Sequence, residues 1–269
     1  MLMARQAPVM AQEVAGYLDL GRARLPILTL TPPAPVSEMP HVFLHGGAWC
    51  MGSSRSALGL LRRMAHQCRR PIVSLDYPLA PEHPYPEAID TTARAFSILA
   101  DSSGIAGVIA SSAGGHVALA ALMRLARSAP SNCPKAVLLW NPALALHADS
   151  WTHDAFGVGF GLTTDQMIEA YGLYGVPTDD LHRDITEMDL SGLPPVWIAC
   201  GDRDPLLADS LRVFESLTRT EATAHLAIIP QAVHGFMNQW FDDTRSDAAV
   251  THALDWLEMR CNQNPEPIR

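Results

Sequence analysis

Ile105-Ala106-Gly107-Val108-Ile109-Ala110-Ser111-Ser112-Ala113-Gly114-Gly115-His116 is the stretch that decides the fold. Its first half is a short unbroken apolar run, the pattern of a strand buried on both faces. Its second half opens an Ala/Leu-rich segment, residues 113–127, that reads as a helix. Ser112 stands where one becomes the other, with small residues two positions to either side, Ala110 and Gly114. Such a sharp strand-to-helix turn lifts a serine hydroxyl above a sheet, and its flanks must be small because the turn presses them together. The helix start beneath offers free N–H groups and positive potential where a negatively charged oxygen would form. Serine in a glycine-rich turn is otherwise a common surface feature. The strand before it and the helix after it carry the weight here.

Outward from this turn the same rhythm repeats. Strands are expected at Leu25–Leu30, Val42–Leu44, Ile72–Leu75, Ala136–Trp140, Val196–Cys200 and Leu226–Ile229. Helices are expected at 56–68, 87–100 and 246–260, and Pro32, Pro33, Pro35 and Pro40 mark a stiff surface loop. Short apolar strands alternating with helices predict an α/β fold, a mostly parallel sheet with helices on both faces. Residues 144–192 break the rhythm, with Trp151, Phe156, Gly157, Gly159, Phe160, Gly161 and a helical stretch from Thr164 to Leu173. So long a connection is expected to be functional, a cap or lid, since ligands bind at the carboxyl ends of such strands. The plain alternative is a surface insertion. Residues 1–269 are read as one domain, with 144–192 as its cap.

Composition excludes several classes. The chain has 269 residues, 48% of them hydrophobic, enough for a large core without disulfides or metal. The five cysteines (Cys50, Cys68, Cys133, Cys200 and Cys261) are odd in number and scattered, with no CxxC pair, so neither a disulfide framework nor a zinc site is expected. Net charge is −9 with no basic stripe, which argues against nucleic acid. No run approaches the roughly 18 apolar residues of a membrane span. Met1 to Leu20 carries Arg5, Glu13 and Asp19 and lacks the apolar centre of a signal peptide. The expectation is a soluble cytoplasmic protein with no cofactor or metal, a possible homodimer, whose partner is a small-molecule ester.

A serine hydroxyl needs a base, and the base an orienting acid, in the chain order serine, acid, histidine for this type of fold. Of eleven histidines, His225, His234 and His252 follow the strand at 196–200. His225 opens the last strand and His252 lies inside the last helix. His234, in Val233-His234-Gly235-Phe236, lies just past the last strand's carboxyl end and is the expected base. In Cys200-Gly201-Asp202-Arg203-Asp204-Pro205-Leu206, Asp202 and Asp204 compete as the acid, and turn formation alone would explain both. His45-Gly46-Gly47-Ala48-Trp49 follows an earlier strand, where a second oxyanion donor is expected, and its glycines let backbone approach a substrate. His45 itself is read as support for that loop.

These motifs come in order with Asp76-Tyr77-Pro78-Leu79-Ala80-Pro81-Glu82-His83-Pro84-Tyr85-Pro86, Ser112-Ala113-Gly114-Gly115, Leu193-Pro194-Pro195, Asp204-Pro205-Leu206 and His234-Gly235-Phe236. Together they resemble the hormone-sensitive-lipase-like bacterial esterases of the α/β-hydrolase fold, from about residue 41 to residue 260. The resemblance implies Ser112 as nucleophile, His234 as base and Asp204, which precedes Pro-Leu, as the acid. It implies backbone N–H donors at Gly47, Ala48 and Ala113, and gives Asp76 and Glu82 loop-bracing roles. Three features depart from the family. Ala110-Ser111 stands for Gly-Asp at the elbow, Ala48 for a third glycine, and the segment before His45 is short, which implies a small helical cap.

The expected function is hydrolysis of small, short-chain carboxylic esters through an acyl-enzyme, with Trp49, Phe156 and Phe160 lining the pocket. An arylformamidase or other amidase, or a lactonase, would use the same residues, and a His-Gly-Gly-x-Trp loop also occurs in arylformamidases. From a different class, a non-catalytic small-molecule receptor on this scaffold would be expected to have lost a triad member, and none is missing.

Overall fold

The computed structural model describes residues 12–220 and 222–263, so the first part of the Met1–Leu20 segment lies outside the described residues. The strands are β1 (Gln12–Asp19), β2 (Arg24–Thr31), β3 (His41–Leu44), β4 (Ile72–Leu75), β5 (Gly107–Ser111), β6 (Ala136–Trp140), β7 (Val196–Gly201) and β8 (Ala224–Ile229). They form one eight-stranded sheet in the order β1-β2-β4-β3-β5-β6-β7-β8. From β4 to β8 all neighbours are parallel.

Successive side chains along a strand point to opposite faces, and here both faces are dry. Val42, Leu44, Val108, Ala110, Val137 and Leu139 enter one buried cluster, with α2 (Glu87–Ser102), α3 (Ala113–Ser128) and α6 (Leu207–Arg219). Phe43, Ile109, Leu138 and Trp140 enter the other, with α1 (Leu58–Cys68) and α7 (Thr244–Asn262). The continuous apolar runs of the central strands follow from this two-sided burial.

Two differences from the expected pattern lie at the amino-terminal edge. β1 has no counterpart among the predicted strands, and β2 runs antiparallel to both β1 and β4. As an edge strand β1 has few buried residues, leaving Val14 and Tyr17 exposed, so it carries no apolar run. Its pairing with β2 through a tight turn at Gly21 holds it in place.

Residues 144–192 leave the sheet after β6 and return at β7, carrying α4 (Trp151–Phe156) and α5 (Thr164–Tyr174). α5 ends itself locally: Thr163 and Gln166 form a reciprocal capping box, and Gly175 closes its carboxyl end at φ +74°. The segment is pinned to the body by Asp209 on α6, whose carboxylate accepts the N–H of Leu144 at 2.8 Å and of Ala145 at 3.0 Å. Burial pushes the Asp209 carboxyl up to about 7 against the pull of those two donors.

Candidate active site

Three strand ends at the carboxyl edge of the sheet bring the predicted residues together. Ser112 follows β5, Asp204 follows β7 and His234 follows β8. The Ser112 Oγ lies 3.1 Å from His234 Nε2, and His234 Nδ1 lies 2.9 Å from Asp204 Oδ2 and 3.1 Å from Oδ1. A carboxylate only accepts, so Nδ1 carries the proton and Nε2 is left to accept from the serine. Asp204 is fully buried and also accepts the N–H of Leu206 at 2.9 Å. Asp202 makes no bond to His234: its N–H donates to the carbonyl of Ile229, and its Oδ1 is buried without a partner among the described residues. The His234 loop is tied back to β7 by the Arg203 N–H donating to the carbonyl of Ala232. His225 lies in β8, stacked on Trp197, and His252 is exposed on α7.

Ser112 occupies φ +52°, ψ −124°, a strained backbone that projects its side chain at the head of α3. Its N–H donates to the carbonyl of Trp140, and its carbonyl accepts from Gly115 and Ala143. Gly114 packs α3 directly on the end of β3: a Cβ there would lie 2.5 Å from the His45 oxygen and 2.6 Å from the Leu44 oxygen. The methyl of Ala110, where the family has glycine, faces the buried cluster, and Ser112 still meets His234 at hydrogen-bond distance. Ser111, where the family has aspartate, lines the cavity beside Ser112.

The His45–Trp49 loop folds back sharply, with Gly47 at φ +132° and Ala48 and Trp49 at φ +51° and +59°. The Cβ of any other residue at position 47 would lie 2.0 Å from the Met51 oxygen. Among the described residues the N–H groups of Gly47, Ala48 and Ala113 donate to no backbone or side-chain acceptor. Gly47 and Ala48 line the cavity, while Ala113 is fully buried at the start of α3. His45 braces the loop: its ring stacks on Tyr77 at 4.4 Å and the Tyr77 hydroxyl donates to the His45 carbonyl. Burial holds the His45 imidazole below its ordinary value, so it stays neutral. Asp76 accepts from the Ser54 backbone and hydroxyl, bracing the next turn, whereas Glu82 is exposed.

The cavity over Ser112 holds about 270 Å³, and its far walls are Phe43, Met51, Ala57, Leu162, Met167 and Met237. The three aromatics expected in the lining, Trp49, Phe156 and Phe160, are not among these residues. Trp49 is buried away from the cavity, stacked on Tyr174 at 5.0 Å and edge-on to His116 at 5.7 Å. Phe156 and Phe160 pack edge to face with each other at 5.4 Å and do not line this cavity. Aromatic rings are large enough to be core wedges, and their contacts are set by three-dimensional packing. Leu162, just before α5, and Met167, within it, carry no sequence signal that separates them from ordinary core residues.

Among the described residues one group has metal-ligand geometry: His41, Cys68 and Glu258, with ligand atoms within 4.8 Å of one another. It sits at the amino end of β3, away from Ser112, and Arg70 bonds both Glu258 oxygens at 3.1 and 3.0 Å, supplying the counter-charge itself.

Residues 41–238 match the model of a family described as having the α/β hydrolase fold. Carboxylesterase NlhH of Mycobacterium tuberculosis is 31% identical over 237 residues, covering 81% of this chain and 73% of that protein. An esterase of Acinetobacter venetianus is 31% identical over 222 residues, covering 77% and 71%. Among solved structures, EstE7, a hormone-sensitive-lipase homologue from a metagenome library, superposes with a TM-score of 0.85 at 25% identity, covering 93% of this chain and 87% of that one. EstE1, a thermophilic carboxylesterase from a metagenomic library, reaches a TM-score of 0.88 at 21% identity over 95% and 91% of the two chains, a likeness of fold. This chain therefore belongs to the α/β-hydrolase fold family, in its hormone-sensitive-lipase-like group.

Proposed function

We propose that the protein is a serine carboxylesterase acting on small, short-chain esters. The observation that carries this reading is the continuous hydrogen-bonded series Ser112–His234–Asp204 on the wall of a cavity that also displays the unpaired N–H groups of Gly47 and Ala48. Its membership of a family with relatives named carboxylesterase and esterase supports the same chemistry.

In this reading His234 Nε2 takes the Ser112 proton as Oγ attacks the ester carbonyl carbon. The carbonyl π-electrons move to oxygen, and the N–H groups of Gly47, Ala48 and Ala113 hold that oxyanion. Asp204 stabilises the imidazolium, which then protonates the departing alcohol as the C–O bond breaks. A water deprotonated by His234 attacks the acyl-enzyme, and collapse of the second tetrahedral intermediate returns the proton to Ser112. Each half-reaction balances without a cofactor.

The short-chain preference rests on volume. Pockets for drug-sized ligands span about 300–1,000 Å³, and this cavity falls below that range. Residues 144–192 act as the cap in this reading, since Leu162 and Met167 close one side of the cavity. Five free thiols fit a reducing, cytoplasmic setting, and no helix among the described residues is long and apolar enough to cross a membrane.

The test is Ser112→Ala assayed on p-nitrophenyl acetate. Removing the nucleophile is expected to lower kcat by about 10⁴-fold or more with an unchanged thermal melt. Turnover like that of the wild type would overturn the reading. Rates on an N-formyl anilide and a matched ester separate esterase from amidase.

A further inference from the structure

β6 lies between the strand that carries Ser112 and the strand that carries Asp204, and the residue at its carboxyl end is Asn141. Its neighbours tie it into both. The N–H of Ser112 donates to the carbonyl of Trp140, and the N–H of Asn141 donates to the carbonyl of Ala199 on β7. The N–H of Ala143, two residues on, donates to the carbonyl of Ser112. Asn141 is fully buried and held at φ +46°, a left-handed conformation that asparagine tolerates better than most residues.

Its amide orientation follows from chemistry. Nδ2 bonds Asp204 Oδ2 and reaches Cys200 Sγ at 3.8 Å. Turning the amide over would set Oδ1 against a carboxylate oxygen, two acceptors with no proton between them. In the observed orientation Oδ1 is buried and has no partner among the described residues. A buried acceptor left without a partner costs stability. The explanation lies in what the other end of the amide does.

We infer that Asn141 is a positioning residue, fixing the Asp204 carboxylate by a donated hydrogen bond so that its face toward His234 is set before substrate binds. The inference rests on the reading of Ser112, His234 and Asp204 as the reacting series. Asp204 then accepts from three sides: Asn141 Nδ2 on Oδ2, the Leu206 N–H on Oδ1, and His234 Nδ1 between them. With two donors fixed by the backbone of β6 and the turn after β7, the carboxylate has one orientation left. A carboxylate held in this way cannot rotate out of the plane in which it meets His234 Nδ1.

Two variants test this by p-nitrophenyl acetate hydrolysis, with thermal melts beside the kinetics. Asn141→Gly keeps the left-handed backbone and deletes the donor. Asn141→Asp keeps the shape and replaces the donor with a second carboxyl. Both are expected to lower kcat by about ten- to hundredfold with little change in KM, the worth of one hydrogen bond to a charged group. Both should keep the wild-type thermal melt and KM, so that the loss falls on kcat alone, as expected of a residue that orients the reacting series and does not touch substrate. An unchanged kcat in the folded variants overturns the inference, as does a loss carried by KM. Ser112→Ala is run beside them. If it retains activity the site reading has failed; if it is inactive while Asn141→Gly behaves as wild type, only the role of Asn141 has failed. Should Asn141→Gly not fold, the nearly isosteric Asn141→Asp carries the same readout.

Discussion

Gly114→Ala puts the elbow itself under test, because one added methyl has nowhere to go. The new Cβ would lie 2.5 Å from the His45 oxygen and 2.6 Å from the Leu44 oxygen, and ordinary contact begins at 3.4 Å. Both obstacles are backbone carbonyls at the end of β3, not side chains that can rotate away. Relief therefore needs α3 to retreat by about 0.9 Å, and Ser112 rides on the first turn of α3. Overpacking of this kind costs about 1–3 kcal/mol, and a domain of this size loses about 2–4 °C of Tm for each kcal/mol. The kinetic effect is larger, since a displacement of about 1 Å at the reacting atom costs about 10²-fold in turnover. The control is Gly172→Ala on α5, whose added methyl meets nothing within 4 Å. That change should stabilise by about 0.5–1 kcal/mol through helix propensity and leave kcat unaltered. Thermal melts and p-nitrophenyl acetate kinetics on both variants decide the matter. If Gly114→Ala melts and turns over like the wild type, the close approach of α3 to β3 does not position Ser112 and the reasoning is refuted.

Three further outcomes follow from separate parts of the molecule. Leu162→Ala opens the cavity wall, so kcat/KM for p-nitrophenyl hexanoate relative to acetate should rise by about fourfold for each methylene newly buried, at ~0.8 kcal/mol per CH₂; an unchanged chain-length profile would remove Leu162 from the acyl pocket. Asp209 has a folded-state pKa of about 7, above its unfolded value near 4, so the folded chain holds a proton that the unfolded chain has released. Its contribution to stability is full below about pH 4, falls as pH rises through that window and levels off above about 7; Asp209→Asn should flatten the urea-midpoint profile between those limits, and parallel profiles would refute the linkage. Glu258→Gln removes the negative charge that pairs with the buried Arg70 guanidinium and lies 2.7 Å from His41, which should cost about 3–5 kcal/mol in chemical denaturation with kcat unchanged in the folded protein, since the cluster lies at the opposite end of the sheet from Ser112.

The parts of this protein legible in its sequence are those in which each residue's environment is decided by its near neighbours along the chain. Val108-Ile109-Ala110 reads as a buried strand because both faces of a central parallel strand are covered, so alternate residues are all apolar. The strand-to-helix turn at Ser112 and the glycine-rich loop after β3 are local for the same reason, their small residues being required by contacts within a few positions. β1 escapes such reading because an edge strand buries little and needs only a partner, which β2 supplies across a turn. Residue pattern alone left Asp202 and Asp204 equal; resemblance favoured Asp204, and its place within 2.9 Å of His234 depends on the order β7–β8 in the sheet. Ser112 and His234 are 122 residues apart in the chain and 3.1 Å apart in space, a distance that only strand order and loop packing create. The cavity walls belong to the same category: aromatic character suggested Trp49, Phe156 and Phe160, yet Leu162 and Met167 stand there, because the return path of residues 144–192 determines which side chains face Ser112. Asn141 is the extreme case, an asparagine after a strand whose meaning exists only because β6 lies between the strand of the serine and the strand of the aspartate.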